Sequence, residues 1–253
     1  MAKTGTFFWY DLMTTDVPAA LKFYEAVVGW KGQPFPGSEM GYVVLNAGET
    51  GIGGVMPLPN PQQPPAWLGY IKSSDVDGDT HEAVKHGGQV LHAPADIPGG
   101  VGRFAVLADP NGAAYMVFKP NGPENNDWQP MTPGHVGWNE YMGDDWRKGY
   151  TYYSKLYGWT QDQTIEMGDG MGVYQLVAKD GVPMGGMMNR PPFVPVSNWG
   201  FYFVVEGIDA AAERVIANGG KVMMEPMEVP GGQWVINAQD PQGAHFGLVS
   251  DMK

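Results

Sequence analysis

The sequence predicts an α+β fold that is built twice within one chain. Two observations support this prediction: the residues of the first half recur in the second half, and each half alternates short strand patterns with amphipathic helices. Most of the recurring positions are Gly, Trp, Tyr, Asp or Pro, which are typical of turns and of large buried side chains. With 253 residues, the chain is long enough for two domains of ordinary size.

The repeat can be followed along nearly the whole chain. At an offset of 129 positions, the residues Gly5, Trp9, Met13, Asp16, Tyr24, Gly29 and Trp30 recur as Gly134, Trp138, Met142, Asp145, Tyr153, Gly158 and Trp159. At an offset of 132, the residues Gly53, Gly54, Met56, Trp67 and Tyr70 recur as Gly185, Gly186, Met188, Trp199 and Tyr202. A segment rich in Pro, Gly and Asn separates the copies. We therefore predict one domain over residues 1–120, a linker over 121–133 and a second domain over 134–253.

Four helices are predicted from their terminal residues. Asp16 suits the N-cap of the first helix, Pro18 suits its first turn, and Gly29 ends it. Similar signals recur at three further places in the chain: Asp75 to Gly87, Asp145 to Gly158 and Gly207 to Gly219.

Strands are predicted where β-branched and aromatic residues lie between turn-forming residues. In the first half these runs are Phe7 to Met13, Tyr42 to Asn46, Trp67 to Ser73, Arg103 to Leu107 and Ala113 to Lys119. Each quarter of the chain thus contains one strand, one helix and two or three further strands. The whole chain is accounted for by four βαβββ modules, paired into two domains.

Composition restricts the class of protein. A net charge of −12 argues against a nucleic-acid partner, because such binding depends on Lys and Arg. The absence of cysteine excludes disulfides, thiolate metal sites and a cysteine nucleophile. No apolar run is long enough for a signal peptide or a membrane span. We expect a cytoplasmic protein with a small-molecule partner, either a monomer with pseudo-twofold domain pairing or a homodimer.

Two features of the sequence resemble the vicinal oxygen chelate superfamily, which contains glyoxalase I, bleomycin-resistance proteins and extradiol dioxygenases. One is a strand followed by Asp16 and a helix with the pair Phe23-Tyr24. The other is an Asp-Pro-x-Gly turn before a final strand, from Asp109 to Gly112 and again from Asp240 to Gly243. The chain looks most similar to tandem glyoxalase-like proteins. The resemblance implies that each domain forms a cupped mixed sheet with its helices outside.

The resemblance also implies where a divalent ion would bind. In metal-using members, a His or Gln on the first strand of each module and a Glu or His on the last strand hold the ion. The corresponding positions in this chain lack such side chains: Trp9, Leu68, Trp138 and Gly200 on first strands, and Met116 and Gly247 on final strands. We therefore predict no metal and no other cofactor. A divalent ion held by Glu140 and His245 stays open as the less favoured alternative.

The residues that replace the ligands indicate a different kind of site. Side chains two apart on a strand share a face, so Asp11 accompanies Trp9 and Glu140 accompanies Trp138 in the cups. The predicted ligand-binding residues are Trp9, Asp11, Tyr70, Met116, Trp138, Glu140 and Tyr202. His135, on the opposite strand face from Trp138, is expected at the surface.

The second domain is the better candidate for catalysis. It carries His245 where the first domain has Ala114, and a carboxylate near a histidine can act as an acid and base pair. The predicted catalytic residues are Glu140, His245 and Tyr202.

Three functions remain open from the sequence. The first is binding of a small aromatic or apolar molecule in a metal-free cup. The second is a glyoxalase-type lyase, isomerase or hydrolase that acts on a small carbonyl or epoxide-like substrate, with Glu140 and His245 as acid and base or as metal ligands. The third is an interaction role with cups that no longer bind a ligand.

Overall fold

The fold is α+β, as predicted. The computed structural model describes residues 4–38, 40–122, 131–168 and 172–253. Trp128 and most of the predicted linker lie outside the described residues. Within these ranges, no helix has the length and apolar content that a membrane span requires.

Among the described residues, each quarter of the chain begins with a strand and a helix, as predicted, and three further strands follow in every quarter except the fourth, which has four. The first half contains β1 (Phe7–Thr14), α1 (Val17–Val28), β2 (Lys31–Pro34), β3 (Val43–Ala47), β4 (Thr50–Pro57), β5 (Ala66–Lys72), α2 (Val76–Lys85), β6 (Gln89–Asp96), β7 (Gly102–Ala108) and β8 (Ala114–Pro120). The second half contains β9 (Val136–Gly143), α3 (Trp146–Tyr157), β10 (Thr160–Glu166), β11 (Val173–Lys179), β12 (Val182–Asn189), β13 (Asn198–Val204), α4 (Ile208–Ala217), β14 (Lys221–Val222), β15 (Met227–Glu228), β16 (Trp234–Gln239) and β17 (His245–Ser250).

The strands form two mixed sheets. One has the order β2-β3-β4-β1-β5-β8-β7-β6, and the other has the order β10-β11-β12-β9-β13-β17-β16-β14, with β15 paired to β16. In each module the first strand pairs in parallel with the last, as β1 does with β4 through Tyr10 and Gly53. Both sheets therefore follow the order of the two sequence repeats, whereas the exact domain boundaries stay a prediction.

The helix ends confirm the predicted signals. The Asp16 side chain accepts a hydrogen bond from the Ala19 amide at 3.0 Å, and Gly29 ends α1 with a φ of 90°. That left-handed conformation is accessible to glycine at little cost. Asp75 and Asp145 cap α2 and α3 in the same way.

The contacts within the chain define two compact units. The first unit contains the described residues of 4–8, 69–122 and 139–199, and the second contains those of 9–68, 131–138 and 200–253. Each unit thus combines modules from both sequence repeats.

The second unit has an aromatic core around Tyr24. Its ring contacts those of Trp30 and Trp67 at centroid distances of 5.5 and 5.2 Å. The Trp67 indole donates to the Tyr24 hydroxyl at 2.9 Å, and this hydroxyl donates to Asp240 at 3.2 Å. The other Asp240 carboxylate oxygen accepts three backbone N–H groups of its own turn, from residues 242, 243 and 244. A predicted Asp-Pro-x-Gly turn is thereby fixed to a helix of the other repeat.

The first unit repeats this arrangement with a different tyrosine. Asp109 accepts the backbone N–H groups of Asn111 and Ala113, and the Tyr141 hydroxyl donates to its second oxygen at 2.5 Å. Burial raises the pKa of both turn aspartates, Asp109 and Asp240, while these donors oppose the shift.

The expectation that His135 lies at the surface is wrong. Its side chain is only 5% exposed. The backbone around it pairs with β13, because Gly134 donates to the Val204 carbonyl and Val204 donates to the His135 carbonyl, each at 2.8 Å. This pairing extends the sheet before β9 begins and buries the side chain.

We expect Asp240→Ala to lower the free energy of unfolding by about 2–4 kcal/mol, because four buried donors would lose their acceptor. Urea denaturation followed by circular dichroism measures the change. Asp240→Asn keeps one carbonyl oxygen and should cost less. The exposed turn variant Glu49→Ala is the control and should stay within about 0.5 kcal/mol of the parent. An equal, small effect of Asp240→Ala and Glu49→Ala would contradict the anchoring role.

We also expect stability to fall at alkaline pH. Burial raises the pKa of seven tyrosines above the ordinary value of about 10: Tyr24, Tyr42, Tyr115, Tyr141, Tyr152, Tyr153 and Tyr157. Above pH ~10 the unfolded chain loses these protons while the folded chain keeps them, so the free energy of unfolding decreases as pH rises. Phenolate absorbance should then increase together with loss of circular dichroism. Ionisation of every tyrosine near pH 10 in a fully folded protein would contradict this.

Candidate functional site

The first-strand residues Trp9 and Asp11 belong to a buried hydrogen-bonded group in the second unit. The Trp9 indole lies 3.0 Å from an Asp11 carboxylate oxygen and 2.9 Å from the Tyr42 hydroxyl. The Tyr42 hydroxyl donates to the same Asp11 oxygen at 2.7 Å. Asp11 is 3% exposed, so this carboxylate is buried together with two donors, as a buried charge requires.

The glycine pair of β4 explains how Tyr42 reaches this position. The Tyr42 ring lies against Gly54, where an added Cβ would overlap the ring. Burial, followed by the charge of Asp11, raises the pKa of Tyr42 well above its ordinary value. The hydroxyl therefore stays protonated at neutral pH and serves as a hydrogen-bond donor to the acid.

The first unit contains the equivalent group of the second repeat. The Tyr174 hydroxyl donates to the Glu140 carboxylate at 3.0 Å. The ring of Tyr174 lies against Gly186 in the same way that Tyr42 lies against Gly54. Glu140 is half-buried, whereas Asp11 is buried. The acid of each repeat is thus held by a tyrosine.

The sequence prediction missed both tyrosines, although a signal for them exists. Tyr42 and Tyr174 differ by 132 positions, the same offset that relates Gly54 to Gly186. A tyrosine that recurs together with a glycine of the neighbouring strand indicates a ring that needs space above the backbone.

Trp138 and Tyr202 come together in the second unit. Tyr202 belongs to a buried apolar cluster with Val204, Val235 and Val249. Trp138 packs against this cluster, as do three further side chains: Met131, Met224 and Val229.

The position of Tyr202 depends on another glycine. Its ring lies against Gly247, where a Cβ would overlap it, and its hydroxyl donates to the Asn237 side chain at 3.0 Å. Gly247, one of the family's ligand positions, is therefore covered by an aromatic ring.

Tyr70 and Met116 face each other across paired strands in the first unit. They are register partners in β5 and β8 and are 8% and 9% exposed. The Tyr70 ring meets Phe118 edge-on at 6.1 Å, and Phe118 stacks on Phe8 at 6.0 Å. The strand face that carries Tyr70 and Met116 is apolar and aromatic, as the sequence pattern indicates.

His245 has an exposed side chain at the start of β17. Its Nε2 lies 3.3 Å from the side-chain amide of Gln239. Glu140 belongs to the first unit and His245 to the second. Their pairing as acid and base stays a prediction.

The residues at the implied metal positions do not fit a divalent ion. Indole, thioether and glycine at Trp9, Trp138, Met116 and Gly247 supply none of the nitrogen or carboxylate ligands that such an ion takes. In the parts of the chain that the structure describes, no three His, Cys, Asp or Glu side chains are grouped so as to hold one.

Comparison with known proteins identifies similar sequences. A model of the Glyoxalase/Bleomycin resistance protein/Dioxygenase superfamily matches residues 6–117. The "Anthracycline biosynthesis protein DauV" of Streptomyces sp. (strain C5) is 30% identical over 258 residues, which covers 95% of this chain and 91% of that protein. The "Putative glyoxylase CFP32" of Mycobacterium bovis is 45% identical over 119 residues, or 47% of this chain; this match spans only 45% of that relative's length.

Two solved structures share the fold at low sequence identity. The 2,3-dioxygenase LapB from Pseudomonas sp. KL28 has a TM-score of 0.71 at 14% identity, covering 98% of this chain and 93% of that one. The Mn(II)-bound glyoxalase from Novosphingobium aromaticivorans has a TM-score of 0.69 at 14% identity, covering 100% of this chain and 84% of that one. Such low identity supports a common fold and no more.

We expect Tyr42→Phe to lower the free energy of unfolding by about 1–2 kcal/mol, because buried Asp11 loses a charge-assisted hydrogen bond. Chemical denaturation measures the change. Tyr150→Phe is the matched control, since its hydroxyl makes a single long contact of 3.5 Å with the Trp159 carbonyl. Equal effects of the two variants would show that the Tyr42 hydroxyl contributes nothing specific.

Proposed function

Because this chain belongs to the glyoxalase/bleomycin resistance/dioxygenase superfamily, we propose that it uses the family's cups in a different way. It binds a small planar aromatic molecule without a metal ion. The observation that carries this proposal is the change at the first strand of both repeats: a tryptophan stands at the ligand position, and a tyrosine-held acid follows two residues later.

The side chains involved suit an apolar, planar ligand. Tryptophan and tyrosine offer large flat surfaces at low entropic cost, and methionine adapts to irregular shapes. In the second unit, Trp138 and Tyr202 accompany methionines and valines in one apolar cluster. In the first unit, Tyr70 and Met116 lie on a strand face with Phe118.

In this proposal the acids hold aromatic side chains in position. Asp11 is already engaged by Trp9 and Tyr42, and Glu140 is engaged by Tyr174. Their hydrogen bonds fix the orientation of the aromatic side chains, which then present ring faces to the ligand. Each carboxylate therefore already has a hydrogen-bond donor from an aromatic side chain, which suits a role in positioning that side chain.

The full-length relative supports an aromatic ligand. DauV is named for anthracycline biosynthesis, and it matches this chain over both repeats. Anthracyclines contain a planar tetracyclic ring system, which is the shape that stacking aromatic side chains accept. We therefore favour fused-ring aromatic compounds over small aliphatic carbonyl compounds.

A titration with an anthracycline, followed by quenching of protein fluorescence, tests the proposal. We expect saturable binding that EDTA does not change. Trp138→Leu should weaken binding about tenfold, because the stacking surface is lost while the side chain stays apolar. Trp234→Leu is the control and should leave binding unchanged: Trp234 alternates along β16 with Val235 of the apolar cluster and contacts the Lys253 amine at 4.8 Å.

Three results would count against the proposal. One is the absence of binding to the folded protein, and another is equal loss in the Trp138 and Trp234 variants. The third is turnover of a small carbonyl substrate that Glu140→Gln abolishes, since this would establish the alternative in which Glu140 moves a proton and His245 or Tyr202 stabilises an oxyanion.

A further inference from the structure

A groove of about 430 Å³ lies in the first unit, among residues that the proposed aromatic site does not use. It is lined by the end of α2, one side of α3 and the Asp-Pro-x-Gly turn of the first repeat: His86, Gly87, Pro110, Arg147, Lys148, Thr151, Tyr152 and Lys155. Its volume falls in the range of small-molecule sites, roughly 300–1,000 Å³. We propose that this groove binds a small organic anion, such as a phosphate monoester or a carboxylate with an apolar part.

The charge of the groove is opposite to that of the protein. The chain has a net charge of −12, yet Arg147, Lys148 and Lys155 all line this one concavity. Among the described residues that line the groove, none carries a carboxylate. A concave surface lined by charge of one sign concentrates ligands of the opposite sign.

The second repeat carries these cations at positions where the first repeat has none. At the offset of 129, Arg147, Lys148 and Lys155 correspond to Pro18, Ala19 and Ala26 of α1. Both helices have the same length and the same type of N-cap. The shared fold therefore does not require positive charge at these positions.

Carboxylates on α2 and at the start of α3 have partners of their own. Glu82 forms an ion pair with Lys85 at 2.9 Å and lies 3.5 Å from His86. Asp145 caps α3 through the Arg147 amide at 3.0 Å. An incoming anion would thus meet the lysine and arginine side chains without displacing an acid that pairs with them in the groove.

The groove also has a fixed apolar part. Tyr152 is 2% exposed and its hydroxyl lies 2.8 Å from that of Tyr115, so the tyrosine ring is held in place. The Lys148 amine donates to the Pro110 carbonyl at 3.0 Å, which holds this lysine beside the turn. A ligand with a ring and an anionic group matches both parts of the lining, because its ring can rest on half-buried Pro110 while the anion meets the cations.

Phenyl phosphate is the probe, with calorimetric titration at low ionic strength as the measurement. We expect saturable binding with a Kd below about 1 mM that weakens as salt is added. Lys148→Ala combined with Lys155→Ala reproduces the first repeat at both positions, so the fold should tolerate it. This double variant should weaken binding at least about tenfold. The control, Lys119→Ala with Lys221→Ala, removes the same charge from exposed positions outside the groove lining and should retain the parent affinity.

The proposal is overturned if phenyl phosphate does not bind, or if both double variants lose affinity equally through net charge alone. Equal affinity for phenol would also overturn it, since the anion would then contribute nothing. Loss of binding in Trp138→Leu but not in the lysine variant would place the probe in the aromatic site and reject the groove. Failure of anthracycline binding leaves this test unaffected, because the two sites share no residue.

Discussion

The buried aspartate of the Asp-Pro-x-Gly turn is the interaction on which each compact unit depends. Asp240 accepts three backbone N–H groups of its own turn and one tyrosine hydroxyl from the other repeat. Asp109 does the same with two backbone groups and Tyr141. A carboxylate with fewer donors would be costly to bury. The turn and the tyrosine must therefore be in place together, which couples the turn of one repeat to an element of the other repeat: α1 for Asp240 and β9 for Asp109.

Glycine determines where the candidate site's aromatic rings lie. Gly54, Gly186 and Gly247 each lie beneath a tyrosine ring that a Cβ would displace. In two of these cases the tyrosine hydroxyl then reaches the acid of the first strand. The small residues at former ligand positions are thus filled by rings from neighbouring strands. At positions where the resemblance implies ligands to an ion, this chain carries aromatic surface and hydrogen bonds.

The predictability of each feature depends on the range of the interactions behind it. Asp16 and Gly29 act within one helical turn, so the ends of α1 could be read from the sequence. Tyr42 acts across 31 positions on Asp11, and no local pattern marks such a partner. His135 is buried, contrary to the sequence prediction, where the backbone ahead of β9 pairs with β13. The sequence pattern also does not predict which modules form one compact unit, because all four modules carry similar apolar faces.

The two repeats differ most in the burial and the partners of the acid on the first strand. Asp11 is buried beneath Tyr42 and also receives the Trp9 indole, so two donors of its own repeat hold it. Glu140 is one methylene longer and half-buried, and it accepts the Tyr174 hydroxyl at 3.0 Å. The repeats thus share a tyrosine that holds the acid of the first strand, but they differ in how far that acid is open to solvent, and Glu140 is the more accessible of the two.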